Sequence, residues 1–137
     1  MIRGLAAGCV IWCSPAQAML APCVYDGMIG SASDVVQIVE IEVDGPDAEG
    51  FCGLTGVVAR SFRGGYTVGD KVALVIACAN VNNLVGAQIY LDPEGMRSAE
   101  VIELHLIGSG IAAYGAGMFS LPTPTDRVHW QTECRGD

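Results

Sequence analysis

Strict alternation over residues 71–78 constrains this chain more than any other feature. Val72, Leu74, Ile76 and Cys78 fall on one side of an extended strand, and Lys71, Ala73, Val75 and Ala77 on the other. Residues 54–62 read as a preceding strand, joined through Arg63, Gly64, Gly65 and the turn Val68-Gly69-Asp70. One side of the second strand is wholly apolar and the other only weakly polar. Such a strand belongs in a small closed or nearly closed sheet.

The remaining segments fit that expectation. Residues 34–43 carry Val35, Gln37, Val39, Ile41 and Val43 on one face; the other begins apolar at Val36 and Ile38 and turns acidic at Glu40, Glu42 and Asp44. Residues 86–91 read as a short strand, Asp92-Pro93-Glu94-Gly95 as a turn, and residues 101–107 as a strand with Glu103 and His105 on its polar face. Residues 23–33 supply turn or cap residues, and residues 44–50 an acidic solvated loop without the oxygen spacing of an EF-hand. A polar tail runs from residue 125 to residue 137. The expected fold is all-β or β-rich α+β: a five-stranded OB-type barrel with a disulfide-anchored N-terminal segment and C-terminal tail, and strands at 34–43, 54–62, 71–78, 86–91 and 101–107. With no internal repeat, residues 19–137 form one domain.

Residues 1–18 read as a signal peptide. Arg3 precedes a short apolar run, Pro15 breaks it, and Ala16-Gln17-Ala18 has the small-x-small form of a cleavage site. Leu20-Ala21-Pro22-Cys23 only approximates a lipid-attachment site, because Pro22 stands where a small non-proline residue is required. The implied compartment, periplasmic or secreted, favours disulfides. Cys23, Cys52, Cys78 and Cys134 remain after cleavage, contain no CxxC pair, and form two bridges in one of three pairings. Losing Arg3 takes the formal charge from −8 to −9. A chain this acidic repels phosphate backbones, which argues against nucleic acid, and no stable membrane insertion is expected after cleavage.

Several segments resemble netrin-like modules, the OB-fold domains shared with tissue inhibitors of metalloproteinases. Residues 33–41 (SDVVQIVEI) resemble the first strand of that family, and residues 57–64 its second strand. Val68-Gly69-Asp70-Lys71-Val72 resembles the next turn and strand, Ala77-Cys78-Ala79 its Cys-Gly position, and residues 86–91 a later strand. The resemblance covers roughly residues 23–91. It implies an OB-type fold and a Cys23–Cys78 bridge, which leaves Cys52–Cys134. It does not imply protease inhibition: in the inhibitors an N-terminal cysteine chelates the protease zinc, whereas here Met19 to Pro22 precede Cys23, and no glycine follows Cys78.

Chemistry-bearing motifs are sparse. The chain lacks G-x-S-x-G, HExxH and a phosphate-binding glycine loop. His105 beside Glu103, and His129 next to Trp130, meet at a metal only if the tail crosses the strand, so both histidines are expected in solvent. Arg60, Phe62, Arg63 and Tyr66 form a candidate recognition patch. The reading is an exported, non-catalytic module that binds a protein or peptide and needs no cofactor; its alternative is a small metal-assisted hydrolase using His105 and His129. N-terminal sequencing of the exported protein should begin at Met19, and a mature chain that keeps Trp12 would contradict the cleavage.

Overall fold

The computed structural model describes residues 22–83, 89–132 and 134; the expected signal peptide lies outside them. Six antiparallel strands form one sheet: β1 (Asp34–Asp44), β2 (Phe51–Arg63), β3 (Lys71–Ala77), β4 (Val101–Ile107), β5 (Gly110–Ile111) and β6 (Met118–Leu121). The order is β3-β2-β1-β4-β5, with β6 also paired to β4. The run β4-β1-β2-β3 is a Greek key.

The sheet buries its own inner face by curling. Val36 and Ile38 of β1, Leu54 and Val58 of β2, Val72, Leu74 and Ile76 of β3, and Ile102, Leu104 and Leu106 of β4 share one cluster. Curvature on that scale requires local breaks in the ladder, and the β1–β2 register shifts three times along its length. At the last shift the chain passes through Glu40 with φ at 53°, and the extra residue reverses the alternation. Ile41 and Val43 consequently pack on the inner cluster with Val36 and Ile38 rather than on the face of Gln37. A strict two-residue period could not foresee that switch.

Among the described residues two α-helices stand where turns were expected. Helix α1 (Pro22–Gly30) begins at a proline, whose fixed φ suits a first turn, and Arg63 donates from Nη1 to the carbonyls of Gly30 (3.1 Å) and Ala32 (2.9 Å) at its end. Helix α2 (Pro93–Ser98) follows Asp92, whose carboxylate accepts from the Glu94 N–H at 3.2 Å. The Asp-Pro pair is thus a cap and first helical residue, and Met96 inserts into the core.

Three expectations need correction. Residues 89–91 are not a strand; the Leu91 N–H makes one bond to the Ala77 carbonyl (3.0 Å) before the chain enters α2, and residues 86–88 lie outside the described residues. The sheet is open, since β3 and β5 touch without pairing. All four cysteines are bridged, but as Cys23–Cys134 and Cys52–Cys78. The implied pairing fails because Cys52 and Cys78 sit together in the inner core, Cα atoms 5.8 Å apart, whereas Cys23 lies with the tail on the outer side. Bridged to Cys134, Cys23 has no free thiol for a lipid.

Leu74 and Val75 are chain neighbours on opposite faces, and Val75 is 76% exposed. Leu74→Ala should lower stability by about 2–4 kcal/mol, and Val75→Ala by less than about 0.5 kcal/mol. Equal shifts in denaturant midpoint would show the faces to be misassigned.

Candidate functional site

The outer face of the sheet divides into two unlike halves. Over β1 and β4 it carries Gln37 directly opposite Glu103, and Val35 opposite His105. All four side chains are buried, Glu103 completely and His105 to within 2%. The tail crosses this half. Glu103 Oε1 accepts from Gln37 Nε2 at 2.9 Å and from the His129 N–H at 2.7 Å; Oε2 accepts from His105 Nε2 at 2.9 Å and from the Trp130 N–H at 3.0 Å. Gln37 completes the hub. Its Nε2 also donates to Thr125 Oγ1 (2.7 Å), and its Oε1 accepts from the Thr125 N–H (2.8 Å).

Burial by itself would push the Glu103 carboxyl upward. Donors from His105, Gln37 and the His129 and Trp130 main chain outweigh that penalty and hold its pKa at about 2. An ionised carboxylate only accepts, so His105 Nε2 must carry the shared hydrogen. The imidazole is further enclosed by edge contacts to Phe119 and Trp130, with ring centroids 5.7 and 5.5 Å away. Its Nδ1 is buried without a hydrogen-bond partner. Trp130 reaches over Gly30 of α1, where a β-carbon would lie 3.4 Å from the indole. The Cys134 N–H donates to Asp26 Oδ2 at 3.1 Å, beside the Cys23–Cys134 bridge.

His105 is therefore not a solvent-exposed histidine. The polar face of its strand is covered, and a charged neighbour with four donors makes that burial tolerable. The tail does cross Glu103 and His105, as the hydrolase alternative requires, but His129 supplies its main-chain N–H while its side chain is exposed. Among the described residues no three His, Cys, Asp or Glu side chains are grouped to hold a metal. Gln37 and Thr125 were not foreseen as members of the hub. Their signal is present in the sequence, since Gln37 interrupts the apolar run 35–39 and so requires a polar partner.

Arg60, Phe62, Arg63 and Tyr66 are placed in different settings. Phe62 packs beside Val35 and Ala32 on the outer side, whereas Tyr66 packs on the inner cluster. Arg63 is committed to the end of α1, and Arg60 is exposed, donating to the carbonyl of Ala59 at 3.0 Å.

Over β2 and β3 the outer face is bare. Phe51 is paired with Ala77, Gly53 with Val75, and Thr55 with Ala73. Phe51, Val75 and nearby Val81 are exposed, and a β-carbon at Gly53 would meet nothing within 4 Å. A hollow of about 400 Å³ adjoins them, lined by Glu49, Phe51, Ala77, Val81 and Tyr90. No protein-family model matches the chain, and comparison with known sequences and solved structures finds no significant similarity.

The buried carboxylate sets a pH dependence. Its folded pKa of about 2 lies below the ordinary 4.5, so its contribution is complete above the unfolded value and lost as pH falls through the folded one. The difference amounts to about 3 kcal/mol. Glu103→Gln, which turns an NH2 group toward existing donors, should destabilise by about 2–4 kcal/mol at neutral pH. It should also flatten the stability profile between about pH 5 and pH 2. Denaturant titrations at several pH values check both; an unchanged profile would remove Glu103 from this role.

Proposed function

We propose that this chain is an exported, non-catalytic module of OB or netrin-like type that binds a protein or peptide partner. The carrying observation is the division of the outer face. Its chemistry-bearing residues, Glu103 and His105, are sealed beneath the tail, while exposed apolar groups gather over β2 and β3. A carboxylate saturated by four donors has no lone pair free for a substrate proton. An imidazole buried against it has no solvent access. Exposed Phe51, Val75 and Val81 provide apolar area that a partner would remove from water.

The Greek key supports the OB-type reading, since that fold is a partly open Greek-key barrel. The netrin-like part rests on strand order and short motifs alone, because the bridge it implied is replaced by Cys52–Cys78. Export is supported by the two disulfides and by the character of residues 1–18. Among the described residues no helix is long and apolar enough to cross a membrane.

A photo-reactive phenylalanine analogue tests the reading. Placed at Phe51 it should cross-link a polypeptide from the exported fraction of the producing cells, while the same group at Gln131, on the tail, should not. Turnover of a hydrolysable ester or amide that is lost to a chelator and restored by zinc would instead support the hydrolase.

A further inference from the structure

The bare half of the outer face ends at β3, which among the described residues is an edge strand paired only to β2. Hydrogen bonds on its occupied side fix which backbone groups are free. Cys78 donates to Gly50 (2.9 Å) and Val58 donates to Asp70 (2.8 Å), so the even-numbered residues from Asp70 to Cys78 face β2; the bond from Gly69 to Val58 (2.8 Å) belongs to the turn before the strand. By antiparallel alternation, the N–H and C=O groups of Lys71, Ala73 and Val75 point to the other side. The Ala77 carbonyl also points there, as its bond from Leu91 shows. Beyond that bond β3 pairs with no strand on this side among the described residues, although β5 approaches it without pairing.

The surroundings of the edge are suited to a polypeptide. An apolar groove of about 230 Å³ runs beside it, lined by Ile76, Leu91, Ile111 and Tyr114 together with Val75. Tyr114 is exposed at 60%, and both it and Ala113 hold φ near +55°. That conformation costs an ordinary residue about 1–3 kcal/mol. Carboxylates flank the outer side: Glu49 lines the hollow beside Phe51 and Ala77, and Glu40 and Glu42 line another beside Ala73, opposed by Lys71.

We infer that β3 binds its partner by strand addition, and that the partner segment is an extended, cationic peptide with apolar side chains at alternate positions. This rests on the binding-module reading and specifies its site. Only another backbone offers donors and acceptors at the two-residue spacing of Lys71, Ala73 and Val75. Apolar side chains on one side of the added strand enter the groove of Ile76, Leu91 and Ile111. Those on the other lie beside Val75, within reach of the flanking carboxylates. A second copy of this chain is a poorer occupant, because each copy carries a formal charge of −8.

The test uses the full mature chain and a synthetic peptide alternating valine and arginine, with a peptide of the same composition in blocks as control. The alternating peptide should bind, and amide exchange at Ala73 and Val75 should slow. Val75→Pro removes a free N–H without touching the β2 ladder, so the sheet should persist while affinity falls by about tenfold or more. Val75→Lys, which places a cation beside the incoming arginines, should also weaken binding and serves if the proline variant loses its native circular dichroism. Equal affinity of both variants and the native chain would overturn strand addition, as would equal binding of the block peptide. Amides at Ala73 and Val75 already protected in a concentration-dependent dimer would overturn the choice of partner. A cross-link from Phe51 combined with indifference to Val75→Pro would sink this mode while sparing the binding module; loss of both would sink the two together.

Discussion

A carboxylate placed out of water must be given donors, and that requirement at Glu103 organises the half of the molecule the core does not. The four donors come from three segments distant in sequence: Gln37 on β1, His105 on β4 itself, and the main chain of His129 and Trp130. Two of the four are backbone groups of the tail. The tail therefore has no freedom to slide along the sheet without stripping a buried charge of half its partners, a loss of about 3–5 kcal/mol. Thr125 repeats the logic one step upstream, where the Gln37 amide both donates to it and accepts from it. The tail follows one path over β1 and β4 because one buried charge and one buried amide require it.

The disulfides reinforce separate parts of this arrangement. Cys52–Cys78 closes a separation of 26 residues inside the inner core and ties the far end of β3 to β2. Cys23–Cys134 closes 111 residues and joins α1 to the end of the tail. Chain-entropy reasoning assigns about 3.5 kcal/mol to the shorter loop and about 4.8 kcal/mol to the longer. The longer bridge also has a local consequence. With Asp26 holding the Cys134 N–H and Trp130 seated over Gly30, it keeps α1 and the tail together as one cover over His105. The hub, the indole and the bridge act on the same few residues.

The inner face was legible because burial and a two-residue period coincide there. Residues 71–77 alternate without interruption and residues 102–106 alternate between apolar and polar, and both lie in strands. Legibility fails where the period breaks or a polar residue is paired out of sight. The bulge at Glu40 moves Ile41 and Val43 across the sheet without any hydrophobic cue. Glu103 and His105 look solvated because alternation marks them as facing away from the core, and nothing local reveals that a segment more than twenty residues later will cover them. The disulfide pairing failed for a related reason. Which cysteines meet depends on which face each segment occupies: Cys52 and Cys78 lie inside, where β2 pairs with β3, and Cys23 lies outside with the tail, whose path nothing local reveals.

The bare margin of β3 is less guarded than a sheet edge usually is. Natural edges are blunted by proline, bulges or inward charges that make a new strand hard to add. The β2–β3 register runs without a shift from Phe51 opposite Ala77 to Val57 opposite Lys71, so no bulge twists this edge away. Lys71 at its start is the only cation on the strand. The chain as a whole is acidic, seven basic residues against fifteen acidic. Charge of one sign opposes association of like copies and favours a segment of the opposite sign, whereas a proline or a bulge would exclude both. Under the proposed strand addition, an unbulged edge on an acidic chain would stay open to a cationic segment while repelling its own copies.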